Sequence, residues 1–336
     1  MRQINIHGAG DVRMDEAPTP EPGPRDVVVR VTACGICGTD LAVAASGASG
    51  RRSPMPLGHE AAGVIVQAGA QVGGVSLGER VVVNPMNTDA VIGNGGPEGA
   101  FTDLLLVREA ELGRSLFRIP ADMPDAVAAL VEPLAVARHA VNRGDPKPGE
   151  TAVVLGAGPI GLGAVIWLKR RGVAKLIAVD LNEGRLARAK ALGATHTIVA
   201  GRSDLAAELG AICGTLTVLD APAVDVDLFI DAAGAPRIAA DVVAMSKRHA
   251  RLVVVAVHHS PVPIDFSRML RSELSITTSI GYPTELPDVL ADLAELQAEA
   301  EIFISHRFPF DRFFEAFETA KTGDCAKVMV EFEPAS

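Results

Sequence analysis

"TAVVLGAGPIGLGAVIWLKRRG", residues 151–172, runs from a β-branched apolar stretch into Gly156-x-Gly158-x-x-Gly161 and then into an apolar helical pattern. The order predicts a buried strand, a tight turn and a helix start. Gly156 permits the turn, Gly158 lets a pyrophosphate approach the backbone, and Gly161 allows close packing of helix on strand. Pro159 and Ile160 open the helix, whose free N–H groups and dipole favour an anion. The segment is uncharged for 18 residues, from Thr151 to Leu168. That length imitates a membrane span, but four glycines and Pro159 inside it argue for a soluble strand–turn–helix.

Downstream, "KLIAVD" (175–180) ends on Asp180, 19 residues after Gly161. A carboxylate there accepts the ribose hydroxyls of NAD and repels the 2′-phosphate of NADP. Leu181 and Asn182 supply no cation, while Arg185 lies one helical turn on and can reach around. The expectation is NAD in preference to NADP, with Gly156, Gly158, Pro159, Ile160, Gly161, Asp180 and Arg185 lining the site. Helical "EGRLARAKALGA", then "HTIV", "SDLAAELGAICG", "VDLFIDAAG", a helix near 236–247, "RLVVVAV" and "LSITTS" continue the alternation. Apolar strands separated by helices predict an α/β fold, a doubly wound parallel sheet covered on both faces.

Upstream, the texture is different. "DVVVRVTA" (26–33), "AGVIVQAG" (62–69) and "ERVVVNP" (79–85) are short β-branched runs broken by Gly and Pro, which suits a compact, partly open β-barrel. The tail, with helical "LPDVLADLAEL" and "DRFFEAFETAKTG" and the strand "AKVMVEFEP", is expected to return to this first domain. The domains expected are therefore 1–146, completed by 286–336, and 147–285. No repeat of 20–50 residues and no low-complexity tract is visible.

A net charge of −10 offers no basic field for nucleic acid or anionic membranes. The N-terminal twenty residues carry acids and prolines early and read as neither signal nor transit peptide. Four cysteines in 336 residues cannot form a disulfide framework, so a reducing cytoplasm is the expected location.

Two of those cysteines, Cys34 and Cys37, stand in "ACGICGTD". The pair reads as a disulfide switch, half of a zinc knuckle, or one ligand with a bystander. Catalytic zinc keeps three protein ligands and one open position. Donors of suitable softness are Cys37, His59 and Glu60 in "PLGHEAAG", and Glu132 in "LVEPLAV". No local spacing rule joins these segments, and each residue singly is as well explained as an ordinary side chain. The pair His258-His259 ends a strand of the nucleotide-binding region and shows no carboxylate or thiol company in the sequence.

Taken in order, "CGICGTD", "GHEAAGVIVQAGAQV", "EPLAVARHAV", "VLGAGPIGLGAV" and "ISHRFPFDRFFEAFETAKTG" resemble the zinc-dependent medium-chain alcohol dehydrogenases, nearest the sorbitol/polyol and butanediol branch. The resemblance covers nearly the whole chain. It implies an N-terminal GroES-like β-barrel catalytic domain and a Rossmann cofactor domain. It further implies one catalytic zinc on Cys37, His59 and either Glu60 or Glu132. Asp40 then matches the family aspartate that steadies the ligand histidine, and a plain turn aspartate is the competing reading. Thr39 matches the hydroxyl that takes the alcohol proton; as a residue it reads equally as the cap of a helix at 39–46. Glu60 is also a candidate in the proton chemistry. The implied reaction moves hydride from a small secondary alcohol or polyol to NAD, giving a ketone, in a homo-oligomer (dimer or tetramer).

Two departures stand out. Ala42 occupies the position, three residues after Thr39, where family members often carry a proton-relaying histidine. Between Val83 and Phe101 there is no cysteine, so the structural zinc of relatives is not expected and one metal per chain is. Arg51 and Arg52, with Ser46, are candidates for the pocket mouth or for a solvated loop; His306 and Arg307 are candidates for the cleft or for an ion pair. The rival functions are a threonine-type amino-alcohol dehydrogenase, a zinc-free reductase of the same superfamily, and a non-catalytic NAD-binding protein.

Overall fold

The structure is a computed structural model and describes residues 1–47, 53–86 and 91–333. Its contacts divide the chain into two compact units, Met1–Glu132 with Pro287–Ser336, and Pro133–Leu286.

In the first unit, a sheet runs in the order Ile304–Pro309, Lys327–Glu331, Val27–Ile36, Glu60–Ala68, Arg80–Val83, Leu116–Arg118, with Leu104–Val107 also paired to Val27–Ile36. A smaller sheet joins Asp11–Glu16, Arg2–Gly8 and Met55–Pro56. The β-branched runs read from the sequence supply the central strands, and their inward residues Val27, Val29, Val31, Ile65, Val81 and Val83 are buried in one core. The tail strands Ile304–Pro309 and Lys327–Glu331 and the helix Phe313–Lys321 lie in this unit. Val328, Val330, Phe313 and Phe317 join that same core.

Register does the work of positioning. Gly35 pairs with Glu60 on one side, and Ile36 pairs with Val328 on the other. Cys37, just past the central strand, therefore ends beside His59, just before one neighbour, and beside Lys327, at the start of the other.

In the second unit, six parallel strands lie in the order His196–Val199, Lys175–Asp180, Thr151–Leu155, Leu228–Asp231, Arg251–Val254, Ser275–Thr278. This is the doubly wound sheet predicted from the alternation, with Val153, Ile177, Phe229 and Leu252 buried in its core. The stretch that imitated a membrane span divides into the strand Thr151–Leu155 and the helix Pro159–Arg170. No helix among the described residues is long and apolar enough to cross a membrane.

Two features differ from the sequence expectation. The switch between units falls at Glu132–Pro133, earlier than residue 146. The change of texture at Pro148 marks a composition break, whereas the helix Val131–Gly144 packs with the second unit. Trp167 Nε1 donates to the Leu134 carbonyl at 2.9 Å, and Gly163 leaves room for Ala137, whose Cβ a side chain there would meet at 2.6 Å. The second is an antiparallel hairpin, Thr215–Val218 with Ala221–Val224. Its turn places Leu219 and Asp220 at φ 44° and 66°, so it lacks the Asn-Gly or Asp-Gly signal by which such turns are recognised.

Candidate metal centre and cofactor loop

Within the first unit, donor atoms of Cys37, His59 and Glu60 lie within 4.8 Å of one another. Of the four candidate ligands, the structure brings these three into one cluster and leaves Glu132 outside it. Glu132 is nonetheless only 9% exposed, and its charge acts on Lys327.

Each side chain has a local reason to be there. Cys37 is the residue before the helix Gly38–Ser46, with extended backbone at φ −98°, ψ 153°. Asp40 is fully buried; its Oδ2 accepts the Cys37 N–H at 2.9 Å and its Oδ1 the Gly58 N–H at 3.3 Å. One carboxylate thus ties the segment bearing Cys37 to the segment bearing His59. Asp40 Oδ1 is also 3.5 Å from His59 Nδ1. Gly58 has φ +93°, and a Cβ there would strike Phe101 at 2.7 Å, so the residue before His59 must be glycine. Thr39 lies inside the helix rather than at its cap, which removes the capping role considered from the sequence. Its side chain is exposed, with Oγ1 3.7 Å from Cys37 Sγ.

The electrostatics call for a cation. Burial opposes charge on His59, yet Asp40 and Cys37 outweigh burial and raise its pKa well above the usual imidazole range. His59 Nδ1 is buried and makes no hydrogen bond. A thiol, an imidazole and a carboxylate converging in one cluster, His59 and Glu60 buried and Cys37 partly so, fit a divalent metal of borderline softness such as zinc.

A residue that sequence reasoning missed completes the site. Lys327 is buried at 1% exposure and donates to both oxygens of Glu60 at 2.7 and 2.6 Å and to the Ile36 carbonyl at 3.0 Å. Burial opposes its charge, but Glu60, then Cys37 and Glu132, raise its pKa above the ordinary lysine value. The pair passes over Gly35, where a Cβ would lie 2.0 Å from Glu60 Oε2 and 3.2 Å from Lys327 Cδ. The available signal was a lone lysine opening the apolar run "KVMV".

In the second unit, Gly156 adopts φ +100°, Gly158 precedes the helix, and Pro159 occupies its first turn. A Cβ on Gly161 would lie 1.7 Å from the Gly156 carbonyl oxygen, so that glycine is required by packing. Gly158 differs: the nearest atom to a Cβ there is Arg185 Nη1 at 4.0 Å. Protein packing leaves that space open, as a backbone approached by pyrophosphate requires. Ile160 is half-buried beside it. Asp180 Oδ2 accepts the Ala157 N–H at 2.7 Å, and Oδ1 the Asn182 N–H at 2.8 Å, which aims the carboxylate along the loop. Arg185 Nη1 lies 4.0 Å from Asp180 Oδ2. The residues present fit a dinucleotide.

Arg307 pairs with Glu301 at 2.7 Å and with Glu331, an ion-pair role, while His306 is exposed beside Ser305. Arg51 and Arg52 lie outside the described residues. His258 does have carboxylate company, contrary to the sequence reading: its Nε2 is 2.7 Å from Asp231 Oδ2.

Comparison with known proteins agrees with this architecture. Residues 23–120 match the alcohol dehydrogenase GroES-like domain, and residues 159–295 match the zinc-binding dehydrogenase family. The sorbitol dehydrogenase of Gallus gallus is 30% identical over 98% of this chain and 96% of its own length. The structure of 2R,3R-butanediol dehydrogenase from Bacillus subtilis superposes with a TM-score of 0.86 at 26% identity, covering 99% of each chain. An Escherichia coli alcohol dehydrogenase complexed with NADH superposes with a TM-score of 0.87 at 28% identity, again over 99% of each chain. A GroES-like unit joined to a Rossmann unit defines a two-domain oxidoreductase. The chain belongs to the zinc-dependent medium-chain alcohol dehydrogenase family, in its sorbitol/polyol branch.

Proposed function

We propose that this protein is a zinc- and NAD-dependent dehydrogenase that oxidises a small secondary alcohol or polyol to a ketone. The observation that carries the reading is the Cys37–His59–Glu60 cluster within 4.8 Å, in a chain whose second unit holds an open glycine loop aimed at by Asp180. The names of the relatives, sorbitol and butanediol dehydrogenases, set the substrate class.

Zinc held at this site would supply a Lewis acid that favours loss of an alcohol proton near neutral pH, and bound NAD the hydride acceptor. Cys37 and His59 would hold the metal, and Asp40 fixes both through the Cys37 and Gly58 backbones. Glu60 is the carboxylate that the cluster supplies, with Lys327 on both of its oxygens, and Glu132, outside the cluster, is the alternative ligand. Thr39, exposed beside Cys37, accepts the alcohol proton. Ala42 offers no ring to pass that proton on, so water finishes the transfer. Asp180 receives the adenosine ribose and disfavours NADP. One zinc per chain and a homo-oligomer, dimer or tetramer, complete the reading.

The test is NADH formation from a panel of polyols, 2,3-butanediol and threonine, run with both cofactors and with chelator, alongside metal analysis. Chelator-sensitive turnover of a polyol or diol with NAD, and one zinc per chain, is the expected result. Threonine as the preferred substrate, higher efficiency with NADP, chelator-resistant turnover or two zincs per chain each overturn the corresponding part.

A further inference from the structure

The Asp231–His258 pair has no role in the reading above, yet it stands where a dinucleotide would lie. All six strands of the second unit are parallel, so their carboxyl ends share one edge. Chain order reverses at Thr151–Leu155, and dinucleotides lie across the carboxyl ends at such a point. Asp180 ends the strand on one side of it and the glycine loop follows it, which assigns adenosine ribose and pyrophosphate. The other half of the cofactor must extend over the ends of Leu228–Asp231 and Arg251–Val254. His258 follows the second of these.

Asp231 is fully buried. Its Oδ1 accepts the N–H groups of Ala233 and Gly234 at 3.1 and 2.9 Å, and its carbonyl accepts those of Val255 and Ala256 at 3.0 Å each. The turn it organises abuts the glycine loop: a Cβ on Gly156 would lie 2.9 Å from Ala233. It also abuts the segment leading to His258: a Cβ on Gly234 would lie 2.8 Å from the Val257 carbonyl. Loop, turn and histidine form one continuous surface.

Oδ2 of Asp231 takes the remaining bond, from His258 Nε2 at 2.7 Å. A buried carboxylate loses heavily if left without a partner, so it holds the ring in the tautomer that donates from Nε2. Nδ1 then carries a lone pair and has no partner among the described residues. Among those residues the pair has no further metal-type donors around it, so it is not a second metal site.

We infer that His258, its tautomer locked by Asp231, is a cofactor-binding residue whose Nδ1 accepts a hydrogen bond from the nicotinamide half of NAD(H), from a ribose hydroxyl or the carboxamide N–H. This rests on the nicotinamide-cofactor reading proposed above.

The experiment compares binding of NADH with binding of ADP, which lacks the nicotinamide half, by calorimetry on the full chain. His258→Ala weakens NADH binding about tenfold, the worth of one well-made hydrogen bond, and leaves ADP binding unchanged. His258→Gln, which keeps an acceptor, restores part of the loss. Asp231→Asn still accepts from the turn but donates to Nε2, turning Nδ1 into a donor, and weakens NADH while sparing ADP. NADH affinity unchanged in His258→Ala, or an equal loss for ADP, overturns the inference. A wild-type protein that binds neither ligand overturns the cofactor reading itself.

Discussion

The cofactor loop draws its parts from one run, Gly156 to Asp180, while the metal cluster gathers Cys37, His59, Glu60 and Lys327 from three strand ends. In the loop, Gly161 answers to Gly156 and Asp180 to Ala157, all within that run. In the cluster, each answers to strand register, and the charge balance closes only when the last strand of the chain is in place. The loop also leaves space, at Gly158, where the cluster leaves almost none. A site built for a large ligand keeps an opening, and a site built for an ion is packed tightly around its donors. Substitutions in the two regions are accordingly expected to fail in different ways.

The largest effect is expected at the cluster's shared donor. Cys37→Ser exchanges a thiolate for a hydroxyl that scarcely ionises, so bound metal should fall close to zero. Turnover should drop roughly a thousandfold or more with the loss of the Lewis acid, while NADH binding to the second unit persists. Retention of both metal and turnover in Cys37→Ser would remove Cys37 from the ligand set.

Next comes the ion pair. Lys327→Met leaves Glu60 buried without its cation, a loss of about 3–5 kcal/mol in a chelated sample. Lys327→Met combined with Glu60→Gln should recover most of it, because the orphaned charge is gone. Denaturant unfolding of the two variants measures the coupling. A single-variant loss under about 1 kcal/mol would mean that the pair is not what stabilises this corner of the barrel.

The loop offers a gentler break. Asp180→Ala removes the carboxylate that accepts from Ala157 and Asn182 and, in the proposed role, from the ribose. Losing a charged hydrogen bond of about 1.5–3 kcal/mol should raise KM for NAD roughly ten- to a hundredfold. The NADP value should change less, narrowing the preference, since repulsion of the 2′-phosphate disappears too. An unchanged NAD/NADP ratio would separate Asp180 from cofactor choice.

The same contrast explains what the sequence disclosed. The strand–glycine–helix run, the carboxylate at Asp180 and the order of the six strands are local patterns with a fixed period, and the doubly wound sheet could be read from them. Cys37, His59 and Glu60 became a cluster only through family resemblance and then through the Gly35–Glu60 register, because nothing in their spacing brings them together. Lys327 stayed hidden since a single lysine in an apolar run has no partner visible in the sequence; its partner lies 267 residues away. His258 was set aside for the same reason, Asp231 being on another strand.

The smallest expected effect tests the asymmetry of the two neighbouring cysteines. Cys34 is fully buried in the barrel core, packed among apolar side chains, and its thiol faces the Gly35 carbonyl at 3.8 Å. Burial, with Asp40 and Glu60 adding to it, pushes that thiol well above its ordinary pKa, so it stays protonated where a metal ligand must not. Cys34→Ser swaps a small apolar group for a hydroxyl within reach of the same carbonyl, at about 1–2 kcal/mol of stability. Zinc content and kcat should stay within twofold of the unaltered protein. Loss of metal in Cys34→Ser, measured beside Cys37→Ser, would mean that the two sulfurs act as a pair and that the cluster reaches three residues deeper into the strand than its geometry indicates.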